Sequence, residues 1–176
     1  MAVSMVIAGF GGQGVLFAGK IVAYTGMIEE KQVSWLPSYG PEMRCGTANC
    51  SVCIDDEPIG CPIVLEPQTL IAMNRPSYDK FIDTVAEGGV VVYDSTLIDA
   101  ECTRTDITVA PIPATQLAND NGLHGLANII ILGQVLKQDP FCSLEVLEAA
   151  IKKCVPAKKQ HLLEPNLRAL KLGYEY

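Results

Sequence analysis

The stretch VSMVIAGFGGQGV, residues 3–15, joins an apolar, β-branched run to four glycines. The first seven residues predict a strand that is buried on both faces of a parallel sheet. From Gln13 to Ile28 the apolar residues fall on one side of a helical repeat, which predicts a helix. Strand, tight turn and helix in this order indicate an α/β fold.

The turn between this strand and this helix carries a glycine pattern. Gly9, Gly11 and Gly14 match G-x-G-x-x-G in the required strand-to-helix context. Glycines allow a sharp turn and close approach of a ligand, and a helix N-terminus offers free N–H groups and partial positive charge to a phosphate. We therefore take Gly9, Gly11, Gly12, Gln13 and Gly14 as a candidate anion or phosphate turn. The alternative is that these glycines only permit tight packing of the helix on the sheet.

Binding of NAD or FAD needs one more feature, which the sequence lacks. An acidic residue about twenty positions after the glycines should hold the ribose hydroxyls at the end of the second strand. That region reads VSWLPSYG, and the nearby acids, Glu29 and Glu30, come before the strand. A free-standing, Rossmann-like nucleotide-binding oxidoreductase nevertheless stays open as one function for this chain.

The rest of the chain continues the alternation of strands and helices. Further strands are predicted at QVSWL, TANCSVCID, the segment DDEPIGCPIV after a turn, TLIAMN, VVVYDS and DITVAPIP. Helices are predicted from Pro76 to Gly88, at ATQLAND, LANIIILGQVLK and LEVLEAAIKKC, and over KKQHLLEPNLRALKLG. The prediction is a single domain, residues 1–176, with a Rossmann-like, mostly parallel sheet flanked by helices, a β-rich excursion at residues 32–64 and C-terminal helices.

Composition and charge exclude several classes of function. The formal net charge is −7, so binding to nucleic acid is not expected. No apolar run reaches the roughly 18 residues of a membrane helix, and MAVSMVIAGF does not resemble a signal peptide. Charged residues make up 19%, below the usual value of about 25%, which suggests apolar surface buried against partner chains.

Seven cysteines raise the question of an iron–sulfur site. Cys45, Cys50 and Cys53 have the spacing C-x4-C-x2-C, with Cys61 further on, which is the spacing of plant-type ferredoxins. However, in a strand Cys50 and Cys53 point to opposite faces and cannot converge on one cluster. The interpretation is therefore no metal site, with thiols that pack in a reducing cytoplasm and suit a cell that seldom meets oxygen.

Two motifs together identify a family resemblance. GFGGQGV and SYGPEMRCGTANCSV, with GLANIIILGQV and NLRALKLGYEY further on, resemble the gamma subunits of the 2-oxoacid:ferredoxin or acceptor oxidoreductases. The resemblance covers nearly the whole chain. The family's loop usually reads Arg-Gly-Gly where this chain has Arg44, Cys45 and Gly46, so the ferredoxin-like spacing arises from one glycine replaced by cysteine.

The resemblance implies a role in a larger enzyme. The complex would convert a 2-oxoacid and coenzyme A into acyl-CoA and carbon dioxide and pass electrons to ferredoxin, flavodoxin or another acceptor. Thiamine diphosphate, Mg²⁺ and the iron–sulfur clusters would lie on the alpha, beta and ferredoxin-like delta subunits. This gamma chain would be inactive alone, with no catalytic residue and no cofactor of its own. Pyruvate, 2-oxoisovalerate, indolepyruvate and 2-oxoglutarate remain open as substrates, and RCGTANCSV favours 2-oxoglutarate.

Residues 38–47 have the composition of a contact loop. Tyr39 offers a stacking face, and the Arg44 guanidinium suits a carboxylate or phosphate, which Glu42 could orient. We expect Tyr39, Glu42 and Arg44 at a subunit interface; the alternative is an internal pair of Glu42 and Arg44. Asp94 ends a buried strand and is expected to cap a turn or helix.

Overall fold

The computed structural model describes residues 2–38 and 47–176, with only the backbone of Thr47. Six strands and six α-helices make up this part of the chain. In chain order they are β1 Val3–Phe10, α1 Val15–Ile28, β2 Gln32–Ser38, β3 Thr47–Asp55, β4 Thr69–Ala72, α2 Arg75–Phe81, β5 Val90–Asp94, β6 Thr108–Ile112, α3 Ala114–Asp120, α4 Ala127–Gln138, α5 Leu144–Cys154 and α6 Leu163–Glu175. Short 3₁₀ turns at Ile82–Thr84 and Ala157–Leu162 precede β5 and α6.

The strands form one sheet in the order β2-β3-β1-β4-β5-β6. β1, β4, β5 and β6 are parallel neighbours, and β3 runs antiparallel between β1 and β2. Only β3 therefore opposes the common direction among the described strands. This confirms the predicted mostly parallel sheet and the β-rich excursion that follows α1.

Helices cover both faces of the sheet. On β1, Met5 and Ile7 belong to the large core shared with α1, α4, α5 and α6, whereas Val6 and Ala8 belong to the smaller core under α2. This alternation is the period of two that a strand imposes, and a strand covered on both faces needs apolar residues at successive positions. The continuous apolar run that predicted a buried strand is thereby explained.

Two of the predicted elements are wrong. Residues 56–64 contain no strand, because Pro58 and Pro62 lack the N–H that a sheet needs and Gly60 lies between them. The helix predicted from Pro76 to Gly88 ends at Phe81. Beyond it the chain makes the 3₁₀ turn at Ile82–Thr84, and the Arg104 guanidinium donates to the oxygens of Ile82 and Val85.

Two boundaries also differ. Pro37 does not close β2, which continues to Ser38, because β2 is an edge strand and a missing N–H is tolerated there. The last helix begins at Leu163 instead of Lys158, since the chain makes a 3₁₀ turn first and Lys159 leaves helical geometry within it.

Candidate functional site

The glycine turn lies at a crevice in the carboxyl edge of the sheet. After β1 the chain crosses to the face of α1, whereas after the neighbouring β4 it crosses to the opposite face, where α2 packs. The two connections therefore diverge and leave a crevice between the ends of β1 and β4. Open α/β sheets bind ligands at such a point.

The turn has the backbone geometry that only glycine adopts easily. Gly12 has a φ of 94° and Gly14 a φ of 76°, both in the left-handed region. Gly14 is the N-cap residue of α1, and its oxygen accepts the first helical hydrogen bond, from Ala18 N at 2.9 Å. The amides of the first helical turn, which come before Ala18 in the chain, have no partner within the helix. Gly11 and Gly12, which precede α1 in the chain, are exposed.

The candidate glycines have different physical roles. A Cβ built on Gly9 would lie 2.9 Å from Val15 Cγ2 and 3.0 Å from Met73 Cβ, so Gly9 is required for packing. A Cβ built on Gly12 would meet nothing within 4 Å. The packing interpretation therefore fits Gly9, whereas Gly12 faces open space where a ligand could approach the backbone.

Gln13 holds the turn against the sheet. Its Oε1 accepts from Phe10 N at 2.6 Å, and its Nε2 donates to the oxygen of Met73 at 2.9 Å. Both ends of the amide are therefore engaged by the main chain. Gln13 therefore positions the turn.

Asn128 supports the turn from α4 and was not among the residues singled out in the sequence. Its Nδ2 donates to the oxygen of Gly14 at 3.1 Å, although the two residues are 114 positions apart. Asn128 is buried in the first turn of α4, directly before the apolar run Ile129–Leu132. A polar residue inside the run GLANIIILG is the sequence signal that could have indicated a structural role.

The wall of the crevice opposite the turn comes from α3 and α4. A cavity of about 200 Å³ lies between Gly12 and Gln13 on one side and Thr115, Asn119 and Gly125 on the other. Sequence patterns gave no reason to choose these last three residues. The cavity adds hydroxyl and amide groups beside the glycine turn.

Asp94 is a capping residue, as its sequence context predicted. The side chain is fully buried and accepts from Thr96 N at 3.1 Å, from Thr115 N at 3.1 Å and from Thr115 Oγ1 at 2.5 Å. It thereby fixes both the turn after β5 and the start of α3. All of these donors belong to Thr96 and Thr115, so the contacts of Asp94 are structural.

The cysteines are distributed as the strand argument predicted. Cys50 is buried on the face of β3 that α1 covers, and its Sγ–H donates to the oxygen of Val15 at 3.7 Å. Burial raises the pKa of Cys50 to about 12, and Trp35 lowers it in part. Cys53 is half-buried in the opposite orientation, and burial and then nearby Cys61 raise its pKa. Within residues 2–38 and 47–176 no three His, Cys, Asp or Glu side chains form a group that could hold a metal ion.

Three further features of the sequence concern the histidines, the residues from Tyr39 to Cys45 and membrane-spanning helices. The two histidines, His124 and His161, are both exposed. Tyr39, Glu42, Arg44 and Cys45 lie outside the described residues. In the described part of the chain no helix has the length and apolarity to cross a membrane.

Comparison with known proteins agrees with this geometry. The sequence profile named pyruvate ferredoxin/flavodoxin oxidoreductase matches residues 4–176. The chain is 37% identical to the 2-oxoglutarate synthase subunit KorC of Methanocaldococcus jannaschii, over 96% of this chain and 90% of KorC. It is 40% identical to the ketoisovalerate oxidoreductase subunit VorA of Methanothermobacter thermautotrophicus, over 97% of this chain but only 35% of VorA.

A solved structure supports the same assignment. The gamma subunit of a keto/oxoacid ferredoxin oxidoreductase from Geobacter sulfurreducens superposes with a TM-score of 0.84 at 29% identity, covering 98% of this chain and 96% of that one. The resemblance to gamma subunits that the sequence motifs indicated is confirmed. The chain belongs to the pyruvate ferredoxin/flavodoxin oxidoreductase family.

Proposed function

We propose that this chain is the gamma subunit of a multi-subunit 2-oxoacid:acceptor oxidoreductase. The observation that carries this proposal is the family match over residues 4–176, combined with KorC relatives of nearly the same length. The complex would oxidatively decarboxylate a 2-oxoacid with coenzyme A to acyl-CoA and carbon dioxide. Thiamine diphosphate, Mg²⁺ and iron–sulfur clusters would be held by other subunits and would supply the carbanion and electron-transfer chemistry.

The contribution of this chain would be made at the crevice between β1 and β4. Gly11 and Gly12 are exposed shortly before α1, and the N–H groups of a first helical turn favour an anion. Coenzyme A is the substrate of the proposed reaction that carries phosphate groups, so one of its phosphates is the ligand we assign to the turn. Gln13 and Asn128 would act as positioning residues that hold the turn in place.

For the oxidised substrate we propose 2-oxoglutarate. KorC proteins from three archaeal genera match this chain over 87% to 93% of their own length. VorA has the higher identity but is about three times longer than the matched region, since the match covers only 35% of it. 2-Oxoisovalerate is therefore the second candidate.

The partners would be alpha, beta and ferredoxin-like delta subunits in the cytoplasm, with ferredoxin or flavodoxin as acceptor. Residues 38–47 would contact the catalytic chains through Tyr39, Glu42 and Arg44. The support is compositional, because tyrosine and arginine are enriched where interfaces carry most binding energy.

Purification from the native host tests the role as a subunit. A tagged chain should recover alpha, beta and delta chains in equal amounts, and the complex should reduce a viologen dye with 2-oxoglutarate and coenzyme A. The isolated chain should reduce none. Activity of the chain alone, with a nicotinamide nucleotide, would instead support a free-standing oxidoreductase. A matched panel of 2-oxoglutarate, 2-oxoisovalerate and pyruvate then decides the substrate by comparison of kcat/KM.

A further inference from the structure

Cys53 points to the face of the sheet that α1 does not cover. It lies opposite Ser4 on β1 and opposite Ser34 on β2, and residues directly opposite each other share a face. Val6, two positions after Ser4, belongs to the smaller core under α2. Because side chains two positions apart in a strand share a face, Cys53 is on the α2 side of the sheet.

The segment between β3 and β4 carries Cys61 and runs over the same face. It follows β3 directly, and Val64 within it packs against the smaller core. Four positions further on, Gln68 N donates to Ser4 Oγ at 3.1 Å. The segment therefore leaves β3 shortly after Cys53 and returns to Ser4, the cross-strand neighbour of Cys53. This path keeps Cys61 on the side of the sheet to which Cys53 points.

The two thiols are within electrostatic reach of each other. The pKa of Cys53 is raised first by burial and then by the charge of Cys61, and salt screens such an effect beyond about 10 Å. Cys61 is exposed, and its Sγ–H donates only to the oxygen of Ile63, at 3.8 Å. A Cβ built on the preceding Gly60 would meet nothing within 4 Å. The chain beside Cys61 therefore has room to bring its sulfur to that of Cys53.

The sheet also limits which cysteine Cys61 can reach. Cys50, on the same strand as Cys53, is fully buried on the opposite face, where its Sγ–H donates to the oxygen of Val15. A sulfur on the α2 side cannot approach it through the strand. Of the two cysteines of β3, only Cys53 is open to Cys61.

We propose that Cys53 and Cys61 form a reversible disulfide when the chain meets a low-molecular-weight disulfide. The exposed Cys61 thiolate attacks one sulfur of that oxidant and releases its other half as a thiol. Cys53 then loses its proton, and its sulfur displaces the remaining half from Cys61. Two S–H bonds are broken and one S–S bond is formed in the chain. Two electrons and two protons pass to the oxidant, which leaves as two thiols.

The disulfide would fix an exposed segment of the chain to β3. Only residues 54–60 lie between the two cysteines, so the bond closes a short ring and constrains little beyond it. Ile63 and Leu65, which follow Cys61 closely, are 56% and 77% exposed and would lose freedom with it. In a reducing cell the thiols would be recovered, so the bond would form only under oxidising conditions. This modification lies outside the crevice and does not depend on the proposed coenzyme A turn.

The test is oxidation of the full-length, anaerobically purified chain with 2-hydroxyethyl disulfide, a small neutral probe. The remaining thiols are blocked with N-ethylmaleimide, and the products are mapped by peptide mass spectrometry. The expected product is lighter by two hydrogen atoms, has Cys53 linked to Cys61, and returns to the reduced mass with dithiothreitol. Amide hydrogen exchange over residues 56–64 should be slower in it than in the reduced chain. A wild type that stops at a mixed disulfide on Cys61, or links Cys61 to another cysteine, would overturn the proposal.

Variants separate the two steps. Cys53→Ser should stop at a stable mixed disulfide on Cys61, because the displacing thiol is gone. Cys61→Ser should leave Cys53 unmodified over the same time, since Cys53 is half-buried and its pKa is raised. Cys102→Ser is the matched control, because Cys102 is also half-buried, and it should form the same cross-link at the wild-type rate. Equal modification of Cys53 with and without Cys61, or loss of the cross-link in Cys102→Ser, would contradict the assigned pair.

Discussion

The side-chain nitrogen of Gln13 donates a hydrogen bond of 2.9 Å to the main-chain oxygen of Met73, across the ends of β1 and β4. The same amide accepts from Phe10 N through its oxygen. One side chain therefore closes its own turn and ties that turn to the next strand of the sheet. The glycine turn keeps its shape because of this contact, even though Gly11 and Gly12 are exposed.

Gln13→Glu should destabilise the chain, because a carboxylate cannot donate to the Met73 oxygen and would face it as a second acceptor. We expect a loss of about 1–3 kcal/mol in the free energy of unfolding. Urea unfolding followed by circular dichroism measures it. Gln116→Glu is the control, since Gln116 is exposed on α3 and should change stability by less than about 0.5 kcal/mol. Equal stability of the two variants would show that the Met73 bond is unimportant.

Asp94 and Thr115 should be energetically coupled. Thr115 donates both its N–H and its hydroxyl to the buried Asp94 carboxylate. Asp94→Asn and Thr115→Val should each destabilise the chain, and the double variant should lose less than the sum of the single losses. We expect a coupling energy of about 1–2 kcal/mol in a double-mutant cycle. Additive losses would contradict the capping role that the distances indicate.

Gly12 and Gly88 allow backbone strain to be separated from ligand contact. Both have positive φ, 94° and 76°, and neither would bring a Cβ within 4 Å of another group. Gly12→Ala and Gly88→Ala should therefore lose similar stability, about 1–2 kcal/mol each. In the assembled complex only Gly12→Ala, and more strongly Gly12→Val, should raise the KM for coenzyme A. Gly88 is the control because it lies at the amino end of β5, away from the crevice.

The sequence predicted those features that neighbouring residues determine. Strand, turn and helix over residues 3–28 follow from local periodicity and glycine placement, and Asp94 as a cap follows from its position at the end of a strand. The contacts of Gln13 with Met73 and of Asn128 with Gly14 join residues 60 and 114 positions apart. No local pattern specifies such pairs, because the partner is brought near only when the whole sheet and α4 have packed.

The strand errors have a similar cause. Residues 56–64 read DEPIGCPIV, in which a polar start and an apolar end suggested a turn and a returning strand, yet β3 already has β1 and β2 on its two sides. The sheet therefore had no free edge beside β3 for another strand. Pro37 was predicted to end β2, but β2 lies at an edge of the sheet. A missing N–H is tolerated there, so the strand continues through Pro37.

Arg44 should matter for assembly and Cys45 should not. If residues 38–47 contact the catalytic chains, Arg44→Ala leaves the buried group that pairs with Arg44 unpaired and should weaken assembly or coenzyme A use by about 2–4 kcal/mol. Cys45→Gly restores the loop usual in the family and should be tolerated. Complex yield and the KM for coenzyme A measure both effects. Arg168→Ala, on the exposed side of α6, is the control, and a loss as large as that of Arg44→Ala would argue against the interface.

Cys50 should make the stability of the chain depend on alkaline pH. Burial raises its pKa from 9.0 to about 12, so the thiol stays neutral in the folded chain while the unfolded chain ionises. Its stabilising contribution is complete below pH 9 and is lost as the pH rises from 9 towards 12. Between pH 8 and pH 10 the free energy of unfolding of Cys50→Ala should therefore fall by about 1 kcal/mol less than that of the wild type.

Cys61→Ala, which removes an exposed thiol, is the matched control and should keep the pH dependence of the wild type. Urea unfolding at pH 8, 9 and 10 provides the comparison. The iron-ligand interpretation of C-x4-C-x2-C requires a Cys50 thiolate and so predicts a different result: iron bound by the anaerobically purified wild type, absent from Cys50→Ala. That outcome would contradict the buried, neutral Cys50, because a thiol packed against α1 and bonded to the Val15 oxygen cannot also ligate a metal beside Cys53 on the other face.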